Sequence, residues 1–175
     1  DIAVIGGGIY GASIAREATL RGLTVALIEQ ADFGSATSAN CQGIIHGGLR
    51  YLQHGDVRRM RESIHERSTW LRIAPHLVFP MGVVVPTYKS PAHEKSVMAI
   101  ALKLNDIIGF DRNHNLEPEK KIPAGRMLSQ SECLQYCPEL QKDHLNGAAL
   151  FYDAQAHNTE RLTLSLLVSA VASGA

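Results

Sequence analysis

The apolar run Ile2-Ala3-Val4-Ile5 leads directly into Gly6-Gly7-Gly8-Ile9-Tyr10-Gly11, and a second run, Thr24-Val25-Ala26-Leu27-Ile28, closes on Glu29. No other feature restricts the fold as much. A short apolar run bounded by glycine suits a buried parallel strand. Gly6 permits a tight turn, Gly8 lets the backbone approach a pyrophosphate, and Gly11 lets the following helix lie close to the strand. That helix, expected over residues 9–21, offers first-turn N–H groups and the positive end of its dipole to phosphate. An acid about 20 residues beyond the glycines binds ribose hydroxyls, and its charge repels a 2′-phosphate, which disfavours NADP. Ala15, Ala18 and Gly22 are small where helix should meet sheet, and Val25 should point into the core. A glycine pattern alone is weak. Here strand, glycines, helix, strand and acid occur in order, and a dinucleotide-binding α/β fold follows.

What comes next separates two cofactor classes. An ordinary nicotinamide-binding unit of about 30 residues would continue at once into another helix and strand. Residues 31–42 are instead rich in Ser, Thr, Ala and Asn without a period, which reads as a loop. A second glycine pair, Gly47-Gly48, follows. This departure favours a flavin.

The chain has 175 residues, 45% of them hydrophobic and 19% charged, which suits a folded domain of ordinary size. Basic and acidic residues balance at 17 each, so nothing marks a nucleic-acid partner. Cys41, Cys133 and Cys137 form neither a disulfide framework nor a zinc pattern, and the histidines show no ligand spacing, so no metal is expected. Reduced thiols suit a reducing compartment, the cytoplasm; Cys41 reads as a packing residue rather than a redox thiol. No signal-peptide pattern precedes the first strand, and no apolar run approaches the ~20 residues needed to cross a bilayer. Peripheral attachment to the inner face of a membrane stays open. The chain stops at Ser173-Gly174-Ala175, where a further strand is expected. It reads as the N-terminal part of a longer protein, inactive alone.

Asp56 is placed to cap a helix over 56–74, with Val57, Met60, Ile64 and Leu71 along one face. Arg58, Arg59, Arg61, Glu62, Glu66 and Arg72 fall largely elsewhere and read as a solvated face laced with ion pairs. Pro75 and Pro80 punctuate the chain. A strand is expected over 81–88, ending near Pro86. A helix is expected over 92–109, with Val97, Ile100, Ala101, Leu104 and Ile108 at helical spacing, and a long loop over 111–126. Ser129-Gln130-Ser131-Glu132 predicts a capping box. Residues 147–153 read as a strand, and Asn158 caps a last helix over 159–172.

Ala36-Thr37-Ser38 and Ile45-His46-Gly47-Gly48-Leu49-Arg50-Tyr51-Leu52, together with residues 1–29, strongly resemble the FAD-dependent glycerol-3-phosphate dehydrogenases. These belong to the wider D-amino-acid-oxidase type of flavoprotein. Ala74-Pro75-His76-Leu77, Phe79-Pro80, Tyr152-Asp153 and Thr159-Glu160-Arg161-Leu162 extend the resemblance. It is dense through residue 52 and patchy between 90 and 145. It implies a Rossmann-like FAD-binding fold from elements in 1–54 and 146–175. A substrate-side insertion at about 75–145 would begin a mixed or antiparallel sheet. It implies oxidation of sn-glycerol 3-phosphate to dihydroxyacetone phosphate by hydride transfer to flavin N5, with quinone or another acceptor taking the electrons. It places Gly6, Gly8, Ile9, Tyr10, Gly11, Glu29, Gln30, Ser35, Thr37 and Ser38 against FAD, with Ile45, His46, Gly47 and Gly48. It puts His46 and Arg50 near the substrate, with a lesser contact from Tyr51.

Physical chemistry gives these residues compatible jobs. Gly47 and Gly48 can lay bare backbone against a flat ring. Ser35, Thr37 and Ser38 can donate to the pyrophosphate or ribityl chain, or cap turns. The forked, permanently charged Arg50 suits a phosphate monoester, or an internal ion pair. An imidazole titrates near neutral pH, so His46 suits a general base; a loop-bracing hydrogen bond is the other role open to it. Gly43 departs from the family pattern, which carries a lysine there, and a missing cation would alter substrate choice. The alternatives are a related flavin enzyme acting on another hydroxy acid or an amine, an NAD-dependent dehydrogenase, and a non-catalytic module on an FAD fold.

Overall fold

In chain order the elements are β1 (Ile2–Ile5), α1 (Ile9–Leu20), β2 (Val25–Ile28), β3 (Ile44–Ile45), α2 (Val57–Ile73), β4 (Val78–Tyr88), α3 (Lys95–Ile108), β5 (Arg126–Leu128), α4 (Gln130–Tyr136), β6 (Leu145–Ala156) and α5 (Thr159–Ala172). The computed structural model describes residues 1–88 and 95–175. These divide into two units, residues 1–44 with 156–175, and residues 45–155.

In the first unit β1 and β2 pair in parallel, Ile2 opposite Val25 and Ile5 opposite Ile28. Ala12, Ala15 and Ala18 are buried on α1, which packs against α5 through Leu162, Leu166 and Ala170. Small residues on one helix and larger ones on the other let the two approach closely. Arg16 Nε adds a bond to Ser169 Oγ at 3.0 Å. Two details differ from expectation. Gly22 is exposed in the turn after α1 at φ +80°, so it serves the turn and not the helix–sheet contact. Val25 is only half-buried, because in the β1–β2 pair Val4 alone is fully covered.

The second unit is built on a four-stranded sheet of order β3-β6-β4, with β5 pairing β6 antiparallel, Leu128 opposite Ala148. Leu128, Cys133, Leu145, Ala148 and Leu150 form its core, with Val84, Tyr88 and Tyr152 packed around them. Strand β6 is longer at both ends than the expected 147–153. Strand β4 starts at Val78 and runs through both Pro80 and Pro86. Among the described strands it lies at the end of the sheet order, and an edge strand accepts proline where the missing N–H would face away from its neighbour. The long loop gives way to β5 at Arg126, a pairing that only β6 could reveal. The loop is held from within: the Asn113 side chain accepts from Ile122 N–H at 2.7 Å and donates to Ile122 O at 2.9 Å.

Helix ends follow local chemistry. Asp56 accepts from Arg59 N–H at 3.0 Å, and Asn158 from Arg161 N–H at 2.7 Å. Ser129 and Glu132 form the reciprocal capping box. On α2, Met60, Ile64 and Leu71 are buried, whereas Val57 is exposed because it sits in the first turn. The pairs Arg58–Glu62 and Arg59–Asp56 line the outer face. Helix α3 forms where expected; Leu102 is its fully buried residue, Ala101 and Ile108 are half-buried, and Val97, Ile100 and Leu104 are exposed. Residues 92–94, included in the expected helix, lie outside the described residues. No described helix is long and apolar enough to cross a membrane.

Candidate functional site

The glycine turn of the first unit is closed by backbone and one carboxylate. Gly6 has φ +102°, a left-handed conformation suited to glycine, and its N–H donates to Ile28 O at 2.8 Å. Gly7 N–H donates to Glu29 Oε2 at 2.6 Å, and Gly7 O accepts from Gly34 N–H at 3.0 Å. Both polar groups of Gly7 are thus spent inside the protein. A Cβ on Gly11 would run into Gly6 O, so α1 begins this close to the turn only with glycine there.

Glu29 Oε1 also accepts from Ala31 N–H at 2.9 Å. The Gly7 bond first, then the Ala31 bond, hold the Glu29 carboxyl below the usual carboxylate range. A carboxylate has about four lone-pair positions, so acceptor capacity remains for sugar hydroxyls. Gly8 is the N-cap of α1, and a Cβ there would lie 3.0 Å from Ser38 Oγ. Ser38 Oγ accepts from Ile9 N–H at 2.9 Å, which leaves its own proton free to be donated at the head of α1. Tyr10, Gln30, Ser35 and Thr37 are exposed in this unit. Bare backbone at Gly6 and Gly8, a helix head and an ionised carboxylate at the end of β2 fit the adenosine-diphosphate end of a dinucleotide.

Gly43 has φ +65°, and a Cβ on it would lie 2.6 Å from Ala156 O. This position therefore accepts glycine and not a residue with a Cβ, a lysine included.

The second unit holds the remaining residues on β3 and the turn after it. Ile45 ends β3 and is half-buried. His46 is exposed, and its ring meets Tyr51 edge-on with centroids 5.9 Å apart. Gly47 and Gly48 are buried, the latter at φ +80° as the cap of the 3₁₀ turn Leu49–His54. A Cβ on Gly48 would press on Met60 Cα at 3.2 Å. Arg50 is exposed in that turn and has no ion-pair partner among the described residues.

Two buried residues complete this loop. Gly47 N–H donates to Asp153 Oδ1 at 2.6 Å, and Arg67 Nη1 donates to the same oxygen at 2.9 Å. Burial pulls the Arg67 guanidinium below its ordinary value, and Asp153 opposes that pull. Sequence reasoning gave neither a role. The available signal was spacing: Arg67 lies on the α2 face of Met60, Ile64 and Leu71, where an arginine needs a buried partner.

The profile of the FAD dependent oxidoreductase family matches residues 1–175. The glycerol-3-phosphate dehydrogenase of Synechocystis is 40% identical over the whole chain, which covers 30% of that protein. The mitochondrial glycerol-3-phosphate dehydrogenase of Homo sapiens is 38% identical, again over the whole chain, which covers 24% of it. Among solved structures, the glycerol-3-phosphate dehydrogenase of Bacillus halodurans, complexed with FAD, superposes with a TM-score of 0.65 at 27% identity. That match covers 99% of this chain and 25% of the Bacillus chain. The chain thus spans under a third of the length of these relatives.

Proposed function

The chain belongs to the FAD dependent oxidoreductase family, and on that premise we propose that the intact protein oxidises sn-glycerol 3-phosphate to dihydroxyacetone phosphate. One observation carries the reading: an exposed imidazole and an exposed guanidinium with no ion-pair partner among the described residues flank two buried glycines in one short turn. Relatives named as glycerol-3-phosphate dehydrogenases support it.

Bound FAD would supply the acceptor for a hydride and so make alcohol oxidation a two-electron step. Gly6, Gly8 and the head of α1 would hold its diphosphate, with Ser38 as a donor, and Glu29 would accept from its ribose. Ile9, Tyr10, Gln30, Ser35, Thr37 and Ile45 line the same cofactor in this reading. Gly47 and Gly48 would contribute side-chain-free backbone on the ring side. Arg50 binds the substrate phosphate through paired N–H donors, with Tyr51 beside it. His46 removes the hydroxyl proton as the C–H bond breaks. Turnover would need quinone or another acceptor to take the electrons. A quinone acceptor would place the intact protein peripherally at the inner face of a membrane.

A second reading, a related flavin dehydrogenase acting on another hydroxy acid or an amine, is favoured by Gly43, where no cation can stand. Steady-state kinetics of the intact protein separate the two. Arg50→Ala should raise KM for glycerol 3-phosphate on the order of 100-fold with a smaller change in kcat. His46→Asn should lower kcat about 10²-fold or more. A preferred substrate without phosphate, or an Arg50→Ala variant with wild-type KM, would favour the second reading.

A further inference from the structure

We infer that Arg67, acting through Asp153, is the positioning residue of the His46–Gly48 loop. The inference rests on the reading of His46 as the proton acceptor.

Arg67 is 1% exposed. Its Nη1 donates to Asp153 Oδ1 and to Tyr152 O at 2.8 Å, while Nε and Nη2 have no hydrogen-bond partner among the described residues. A buried ion pair seldom stabilises a fold better than apolar packing does, and unused donors make this one costlier. What it supplies is geometry. One carboxylate oxygen receives both the guanidinium and the Gly47 N–H. From the other side the guanidinium fills the space where a Gly47 side chain would stand. Gly47 is therefore bracketed between an acceptor on β6 and a cation on α2. A Cβ on Gly48 would crowd Tyr51, and Ser63 and Met60 of the same helix. Met60, Ser63 and Arg67 recur at helical spacing, so one face of α2 supports both glycines. His46 precedes these two residues, and its ring meets Tyr51 edge-on. Its ring is then aimed by the backbone that Arg67 and Asp153 fix. Small misplacements of a reacting group cost catalysis heavily.

The test uses the intact protein with FAD bound and the variants Arg67→Met, Arg67→Lys and Asp153→Asn. Amide hydrogen exchange at Gly47, followed without substrate, reads the clamp directly. Arg67→Met should speed that exchange about tenfold or more. It should also lower kcat per bound flavin about tenfold or more with KM within about threefold. Arg67→Lys, which keeps one charged donor, should recover part of both effects. The double variant Arg67→Met/Asp153→Asn should lie within about twofold of the worse single variant, because the two residues act as one unit. Unchanged Gly47 exchange overturns the clamp. Faster exchange with unchanged kcat per flavin overturns the positioning role, as do effects that multiply independently. If Arg67→Met does not fold, the near-isosteric Asp153→Asn is read by the same exchange and kcat criteria. If the wild-type protein does not oxidise glycerol 3-phosphate, the reaction is wrong and Gly47 exchange alone decides the clamp.

Discussion

Two glycine N–H groups in this chain each donate to a carboxylate at 2.6 Å, Gly7 to Glu29 in the first unit and Gly47 to Asp153 in the second. The first bond joins residues 22 apart across a strand–helix–strand unit, and it shapes a turn in contact with solvent. The second joins residues 106 apart, is buried, and carries an arginine with it. The bond is the same and its surroundings differ, so the two should fail differently. A local, hydrated carboxylate can be removed with modest loss to the fold. A buried one leaves an opposite charge stranded.

Asp153→Ala gives the largest expected effect. It strands Arg67 in the interior and should cost about 3–5 kcal/mol of stability, measured by urea unfolding of the intact protein. A loss under about 1 kcal/mol would erase the contrast between the two units. Gly11→Ala comes next. Its methyl group meets Gly6 O, so about 1–3 kcal/mol of strain and a loss of flavin uptake should appear together. Glu29→Gln keeps the shape but sets its NH2 group against the Gly7 or the Ala31 N–H; it should weaken FAD binding about tenfold, read by fluorescence titration, and cost about 1–2 kcal/mol of stability. Asn158→Ala removes one cap and should cost about 1 kcal/mol.

The smallest effect is a pH dependence. Arg61 clamps Asp111 at 2.7 and 2.9 Å and holds its carboxyl down at about 2, from an ordinary 3.8. A lowered folded-state value stabilises above the ordinary one and is lost as pH falls toward about 2. The melting temperature should therefore fall across that window. Asp111→Asn should flatten the fall; an unaltered profile would show that this pair contributes nothing.

The same contrast explains what could be read from residues alone. The first unit is written in short-range chemistry. Glycines at fixed offsets, an apolar run on either side and a closing acid fall within residues 1–29, so the parallel pair, α1 and the Glu29 carboxylate were all legible. Caps at Asp56, Ser129 and Asn158 were legible for the same reason, each depending on neighbours three residues away. Strand β5 was not, because three residues become a strand only when β6 lies beside them. Helix α3 was legible as a helix, but periodicity finds an apolar face without saying what covers it, and its fully buried residue is Leu102. Arg67 and Asp153 were missed because the bond between them spans 86 residues, and no local pattern announces it.

Anaerobic addition of glycerol 3-phosphate to the purified intact protein tests the central claim most directly, with the flavin absorbance as the readout. The protein should be yellow, its oxidised-flavin band should bleach on mixing, and an Arg50→Ala variant should need far more substrate to bleach. A protein that takes up no flavin, or whose flavin stays oxidised at saturating substrate, would contradict that claim.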